Sequence, residues 1–199
     1  MTKSEATTEA PDKGPHRRDM ILDAAVSLFR EHGFDATGID EIGAAAGITG
    51  PGVYRHFASK QDLLDAVVRE SSMQVLESER EIRERARTPR ELIELLAAQI
   101  VDQVLDNPGA VVVLLRERRN LSRDGRLAWN RALNAYIAEW VEPLRALRPG
   151  LGPAEARTIV FVALGIIMAV ATSDDTISRR KLAPRVRAML LAAVLAEAT

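Results

Sequence analysis

Apolar positions recur at helical spacing from about His16 to the end of the chain and nowhere settle into the alternation of a strand. Ile21, Ala24, Ala25, Leu28 and Phe29 share one face and predict a first helix. His32-Gly33 should end it, because glycine suits the left-handed residue past a helix terminus. A short helix from Ile39 to Ala46, a tight turn at Gly47-Ile48-Thr49 and another short helix from Gly50 to His56 follow. Ser59-Lys60-Gln61-Asp62 has the form of a capping box with Asp in place of Glu, opening a long fourth helix with Leu63, Leu64, Val67 and Val68 inward. Thr88-Pro89-Arg90-Glu91 starts a fifth: Thr88 caps, Pro89 takes the first helical position and Glu91 reaches back. That helix should run to Asp106 and stop at Asn107-Pro108. Further helices fit 109–119, 124–147 with a bend near Pro143, 153–172 and 179–198. The pattern predicts an all-α protein of about nine helices. Residues 1–15, polar and broken by Pro11, Gly14 and Pro15, are expected to form a disordered tail before a small domain at 16–70 and a larger one at 71–199.

Composition narrows the class. A chain of 199 residues can bury a real core, and 47% hydrophobic with only 4% aromatic residues reads as globular. The absence of cysteine excludes disulfides and thiolate chemistry. The first residues show no secretory pattern, and the longest apolar stretch, Ile159–Ala171, falls short of the ~20 residues of a membrane span. A cytoplasmic protein without membrane contact is expected. Net charge is −1, and residues 1–70 hold 8 basic against 12 acidic side chains, so any affinity for nucleic acid must rest on where the charges stand.

The informative stretch is Ile39 to Phe57. Two short helices joined by a three-residue turn at a glycine fit helix-turn-helix spacing. Ile42, Ala46, Ile48, Val53 and Phe57 would form the shared core, with Ala44 and Ala45 allowing close approach. The second helix would stand proud enough to enter a major groove about 12 Å wide.

Residues 17–68 closely resemble the DNA-binding domain of TetR-family regulators. The likeness rests on Arg17, Phe29, Gly33, Ala36-Thr37, Ile42, Ala46-Gly47-Ile48, Tyr54-Arg55-His56-Phe57, Lys60, Leu63 and Leu64. It implies a three-helix reading head followed by a helical dimerisation and effector-binding domain. By the same resemblance Thr37, Thr49, Tyr54 and His56 are phosphate contacts, Lys60 is a phosphate anchor, and Arg17 and Arg18 serve ahead of the first helix. Base reading falls to Gly50, Pro51, Gly52 and Arg55, where Arg55 is the only long donor. The partners implied are a palindromic double-stranded operator, a second copy of the chain and a small-molecule effector. Repression is the expected sign of control.

Beyond residue 70 the chain offers fewer marks. Arg116, Arg118, Arg119, Arg123 and Arg126 read either as a solvated helix face or as an anion site for a phosphate-bearing effector. The segment Leu114–Leu121 resembles one in actinobacterial members of the family that respond to acyl-CoA thioesters. Trp129, Tyr136 and Trp140 could line the pocket or simply fill the core. Val186, Met189, Leu190, Ala193 and Val194 form an apolar stripe on the last helix, which with the eighth helix should make the dimer interface. No cofactor, metal site or catalytic constellation is expected: the histidines at 16, 32 and 56 lack metal-ligand spacing, and no Walker-type loop occurs. Two rivals remain, an effector-independent repressor and a helical-bundle enzyme with a structural N-terminal domain.

Overall fold

The computed structural model describes residues 14–106, 108–173 and 178–196. The expected tail lies outside the described residues except for Gly14 and Pro15, which instead open the first helix. Among the described residues there are nine α-helices and no strand. They are α1 (Gly14–His32), α2 (Ile39–Ala45), α3 (Gly50–Val53), α4 (Lys60–Arg85), α5 (Pro89–Asp106), α6 (Gly109–Glu117), α7 (Arg123–Leu147), α8 (Pro153–Ala171) and α9 (Arg179–Leu195), with a 3₁₀ turn at Arg118–Asn120 after α6.

Their termini follow the local chemistry. Gly33 closes α1 at φ 82°. Ser59 Oγ accepts from Asp62 N–H at 3.0 Å to cap α4. The shorter Asp62 carboxylate reaches past the cap to Ala58 N–H at 3.0 Å. At α5, Thr88 Oγ1 accepts from Glu91 N–H and Glu91 accepts from Arg87 N–H. α3 is shorter than its pattern suggested. Two glycines and a proline in its first three residues give it little propensity, and after Val53 it tightens into turns in which Arg55 and His56 donate to Gly52 and Val53.

Two apolar clusters organise the molecule. The larger is built from the C-terminal part of α4, α5, α7, α8 and α9 around Ile93, Leu96, Ile137, Trp140 and Leu144. The smaller joins α1, α2, α3 and the start of α4 around Ile21, Phe29, Ile42, Val53, Leu63 and Leu64, and it also takes in Val113, Leu114 and Leu121 from α6 and the segment after it. α4 runs unbroken from one cluster into the other.

One expectation is corrected by α8. Counting only the apolar run from Ile159 overlooks the helical residues before it. The whole helix Pro153–Ala171 is long and apolar enough, by length and composition, to cross a membrane. Here it packs against α5, α7 and α9.

Candidate DNA-reading surface and ligand cavity

In the helix-turn-helix, Gly47 takes φ 68° at the turn. The close approach of α2 and α3 depends on Gly43 and not on the alanines: Ala44 and Ala45 are exposed. A Cβ on Gly43 would lie 2.9 Å from the Thr49 carbonyl carbon and 3.0 Å from Gly50 N. Backbone meets backbone there, so no side chain can swing aside.

Of the residues expected to meet DNA, Arg17, Thr49, Pro51, Tyr54 and Arg55 are exposed, and Gly52 and His56 are half-buried beside them. Thr49 Oγ1 accepts from Gly52 N–H at 3.2 Å, which leaves its hydroxyl proton free to donate outward. The other four expected contacts are occupied inside the protein. Thr37 is buried and donates to Gly33 O at 2.8 Å, closing the loop between α1 and α2. Gly50 is buried against Asp40. Lys60 donates to Phe34 O at 2.8 Å and Thr37 O at 2.9 Å and stands over the Phe34 ring, so it staples that loop to the start of α4. Arg18 pairs with Glu70 at 2.5 Å and lies over the Phe57 ring at 5.1 Å.

This head is bolted to the rest of the chain through α6. The Glu117 carboxylate accepts from Phe34 N–H at 3.1 Å and from Asn120 Nδ2 at 2.7 Å. Arg116 donates to Arg30 O at 3.3 Å, and Gln61 donates to Asn120 O at 2.9 Å. Asp65 accepts from both the backbone and the hydroxyl of Ser122.

Between the two clusters lies a cavity of about 670 Å³. Its walls include Leu22 and Val26 of α1, Val67 and Val68 of α4, and Leu114 and Leu115 of α6. α7 and α8 close it with Trp129, Leu133, Tyr136, Leu164 and Ile167. A volume and lining of this kind suit a mostly apolar small molecule. Of the three aromatic residues open to either role, Trp129 and Tyr136 line this cavity, whereas Trp140 is fully buried behind the wall with its ring centroid 6.4 Å from that of Tyr136. Arg118 and Arg119 are exposed and do not line the cavity. The arginine that does is Arg30, to whose carbonyl Arg116 is bound; Asp19, Asp23 and Glu70 line the cavity too.

Sequence reasoning missed the polar groups at this cavity. Gln103 and Tyr136 line it, and Glu79 is buried next to Tyr136 and Trp140. The Gln103 side-chain carbonyl, the Tyr136 hydroxyl, the Trp140 indole N–H and both Glu79 oxygens are buried without a hydrogen-bond partner. Burial, reinforced by the neighbouring Glu139 carboxylate and only partly offset by Trp140 and Arg83, pushes the Glu79 carboxyl up to about 9. Tyr136 is raised above its ordinary range by burial and then by Glu79. A sequence signal existed: Glu79 falls on the inward stripe of α4 between Val75 and Ile82, where an acid has no water.

The stripe proposed for dimerisation divides. Val186, Leu190 and Val194 are fully packed within the larger cluster of their own chain, so they are unavailable to a partner. Met189 is 57% exposed and Ala193 half-buried. α8 is likewise two-sided. Leu164, Ile167 and Met168 face the cavity, while Phe161 and Val162 are 53% and 66% exposed.

Comparison with known proteins agrees with this architecture. Residues 21–67 match the family described as bacterial regulatory proteins, tetR family. Over 131 residues the chain is 30% identical to the HTH-type transcriptional repressor KstR2 of Rhodococcus jostii (strain RHA1), a match spanning 65% of this chain and 64% of that relative. In fold it resembles the regulator FadR of Bacillus subtilis solved with stearoyl-CoA, with a TM-score of 0.73, 21% identity, and 88% of this chain and 98% of that one covered. It also resembles AibR solved with isovaleryl coenzyme A and operator DNA, with a TM-score of 0.73, 21% identity, and 87% and 97% covered. Residues 21–67 thus carry the match to the tetR family of bacterial regulatory proteins, and the chain as a whole shares the fold of the solved FadR and AibR.

Proposed function

We propose that the protein is a transcriptional repressor that binds a palindromic operator as a homodimer and is released by a small, mostly apolar effector. The observation that carries this reading is the sharing of elements between head and cavity. α1, α4 and α6 each contribute to the core beneath the reading surface and to the wall of the 670 Å³ cavity. A ligand that filled the cavity would press on the supports of the head, and the two heads of a dimer must keep a fixed spacing to fit two half-sites.

At the DNA surface, Arg55 is the proposed base reader, bidentate to guanine, with Pro51 and Gly52 allowing the backbone close to the groove floor. Arg17, Thr49, Tyr54 and His56 are the proposed phosphate contacts. Thr37, Gly50 and Lys60 shape the head from within, and Arg18 divides its reach between Glu70 and the DNA.

The proposed effector is an acyl-CoA thioester, as in the FadR and AibR complexes. Its acyl chain would occupy the cavity and its phosphates would leave at the end of α1 marked by Arg30 and Arg116. Such a protein acts in the cytoplasm, where the operator is. The test is fluorescence anisotropy on an operator selected from random DNA, titrated with acyl-CoAs from isovaleryl to stearoyl. Release by at least one of them, with loss of response in Arg30→Ala/Arg116→Ala, is expected. An operator complex indifferent to every thioester would favour an effector-independent repressor.

A further inference from the structure

Much of the cavity wall is apolar, and apart from the charged residues Asp19, Asp23, Arg30 and Glu70 it holds two buried polar groups. Tyr136 and Gln103 come from α7 and α5, and each buries an unpartnered polar atom. Glu79, only 1% exposed, stands one turn along α4 from the cavity residues Val75 and Leu76. It is close enough to Tyr136 for its charge to influence that hydroxyl, and Trp140 completes the group with its indole N–H. Buried polar atoms without partners are rare in folded proteins, and two in the wall of one cavity, with Glu79 and Trp140 behind Tyr136, point to a bound group that supplies the missing bonds.

We propose that this region is a hydrogen-bonding subsite that takes an uncharged oxygen function, a hydroxyl or a ketone, on the buried end of an otherwise apolar ligand. Tyr136 and Gln103 would meet the oxygen directly. Glu79 and Trp140 stand behind them as positioning residues, with the neutral carboxyl able to donate or accept as the ligand requires. A plain hydrocarbon end would leave the Tyr136 hydroxyl and the Gln103 carbonyl unsatisfied. A carboxylate end would bring a third acid beside Glu79 and Glu139, and a charge like that of Glu139 is disfavoured there. This inference deepens the effector reading above, since it names what the buried end of the effector carries.

The experiment measures direct binding by isothermal titration, independent of DNA. The probes are dodecanoyl-CoA, its ω-hydroxy, ω-amino and ω-carboxy analogues, and the head-free pair 1-decanol and 1,10-decanediol. For the wild type, the ω-hydroxy thioester is expected to bind about tenfold tighter than dodecanoyl-CoA, the worth of one well-made buried hydrogen bond. The ω-carboxy analogue should bind weakest, and the diol should surpass the alcohol. Tyr136→Phe, which removes one oxygen and keeps the ring, should erase most of the preference. Glu79→Gln should keep it and Glu79→Leu should lose it. Equal binding of hydroxylated and plain chains would show that the subsite is filled by ordered water, and would overturn the proposal. So would tighter binding of the amine, which would make Glu79 a cation partner, or binding of none of the probes. A hydroxylated ligand that binds with the expected preference but leaves the operator complex intact would uphold the subsite and sink the reading of effector-driven release instead.

Discussion

The ammonium group of Lys60 has exchanged its hydration for the carbonyls of Phe34 and Thr37, whereas the Arg55 guanidinium remains exposed. The two cations should therefore fail in different assays. Arg55→Ala is expected to cost about 1–3 kcal/mol of operator binding and to relax preference at one base pair per half-site, read by competition with single-base operator variants. Lys60→Ala is expected to cost about 1–3 kcal/mol of folding stability in urea, because hydrogen bonds to a charged group are lost. Its operator binding should weaken alike for all sequences. Glu79 governs a different variable. Its carboxyl is held near 9 in the folded protein and ionises near 4.5 when free. The native state is thus favoured fully below the ordinary glutamate range, and that advantage is lost as pH rises toward 9. Glu79→Gln removes the titration. The variant should gain on the wild type from pH 5 to pH 8, by on the order of 3 kcal/mol near neutrality, in urea midpoints taken across that range.

At the scale of elements, the junction of α2 and α3 is the least forgiving place in the head. Gly43→Ala must push the Thr49–Gly50 backbone outward and is expected to cost about 1–3 kcal/mol by overpacking, with operator binding falling further than stability because α3 is displaced. Thermal unfolding and anisotropy on the same preparation separate the two losses. Most helices were legible because their signals are local. Gly33, Ser59 with Asp62, and Thr88 with Glu91 act within one turn of themselves. The pairing of Gly43 with the next helix was not, because a missing side chain is noticed only when its neighbour is in place. The same holds for Thr37 and Lys60. Nothing in their sequence neighbourhood reveals that the carbonyls of Gly33, Phe34 and Thr37 turn toward them. On α9 the helical stripe was correctly read as apolar, but periodicity cannot say whether a stripe meets its own chain or another. Val186, Leu190 and Val194 meet their own.

For the whole molecule, the uncovered faces of α8 and α9 matter most. Phe161, Val162 and Met189 lie in the open on helices whose opposite sides are already packed, and between Thr158 and Thr172 α8 carries no charged residue. A second copy would cover such a face. Val162→Glu/Met189→Glu should sediment as a folded monomer at low micromolar concentration and lose cooperative operator binding. Leu190→Glu should instead unfold the chain by placing a charge in the core. A double variant that stayed dimeric would move the interface elsewhere.

The contribution of α6 to the head bears on how such proteins can be recombined. Val113, Leu114 and Leu121 complete the smaller core, where α6 packs on α1 and α4, and Glu117 holds the loop at Phe34. A fragment ending near residue 70 would expose that core, so the head is not a cassette that can be cut out and fused to a foreign sensor at the start of α4. Chimeras that exchange only the first seventy residues should be insoluble or silent unless the acceptor's own α6 happens to match. Those that carry residues 109–122 along with the head should keep reading their operator while answering to the new ligand. The viable crossover points are thus discontinuous in sequence, and a lineage that changes its sensor must do so around α6, without replacing it.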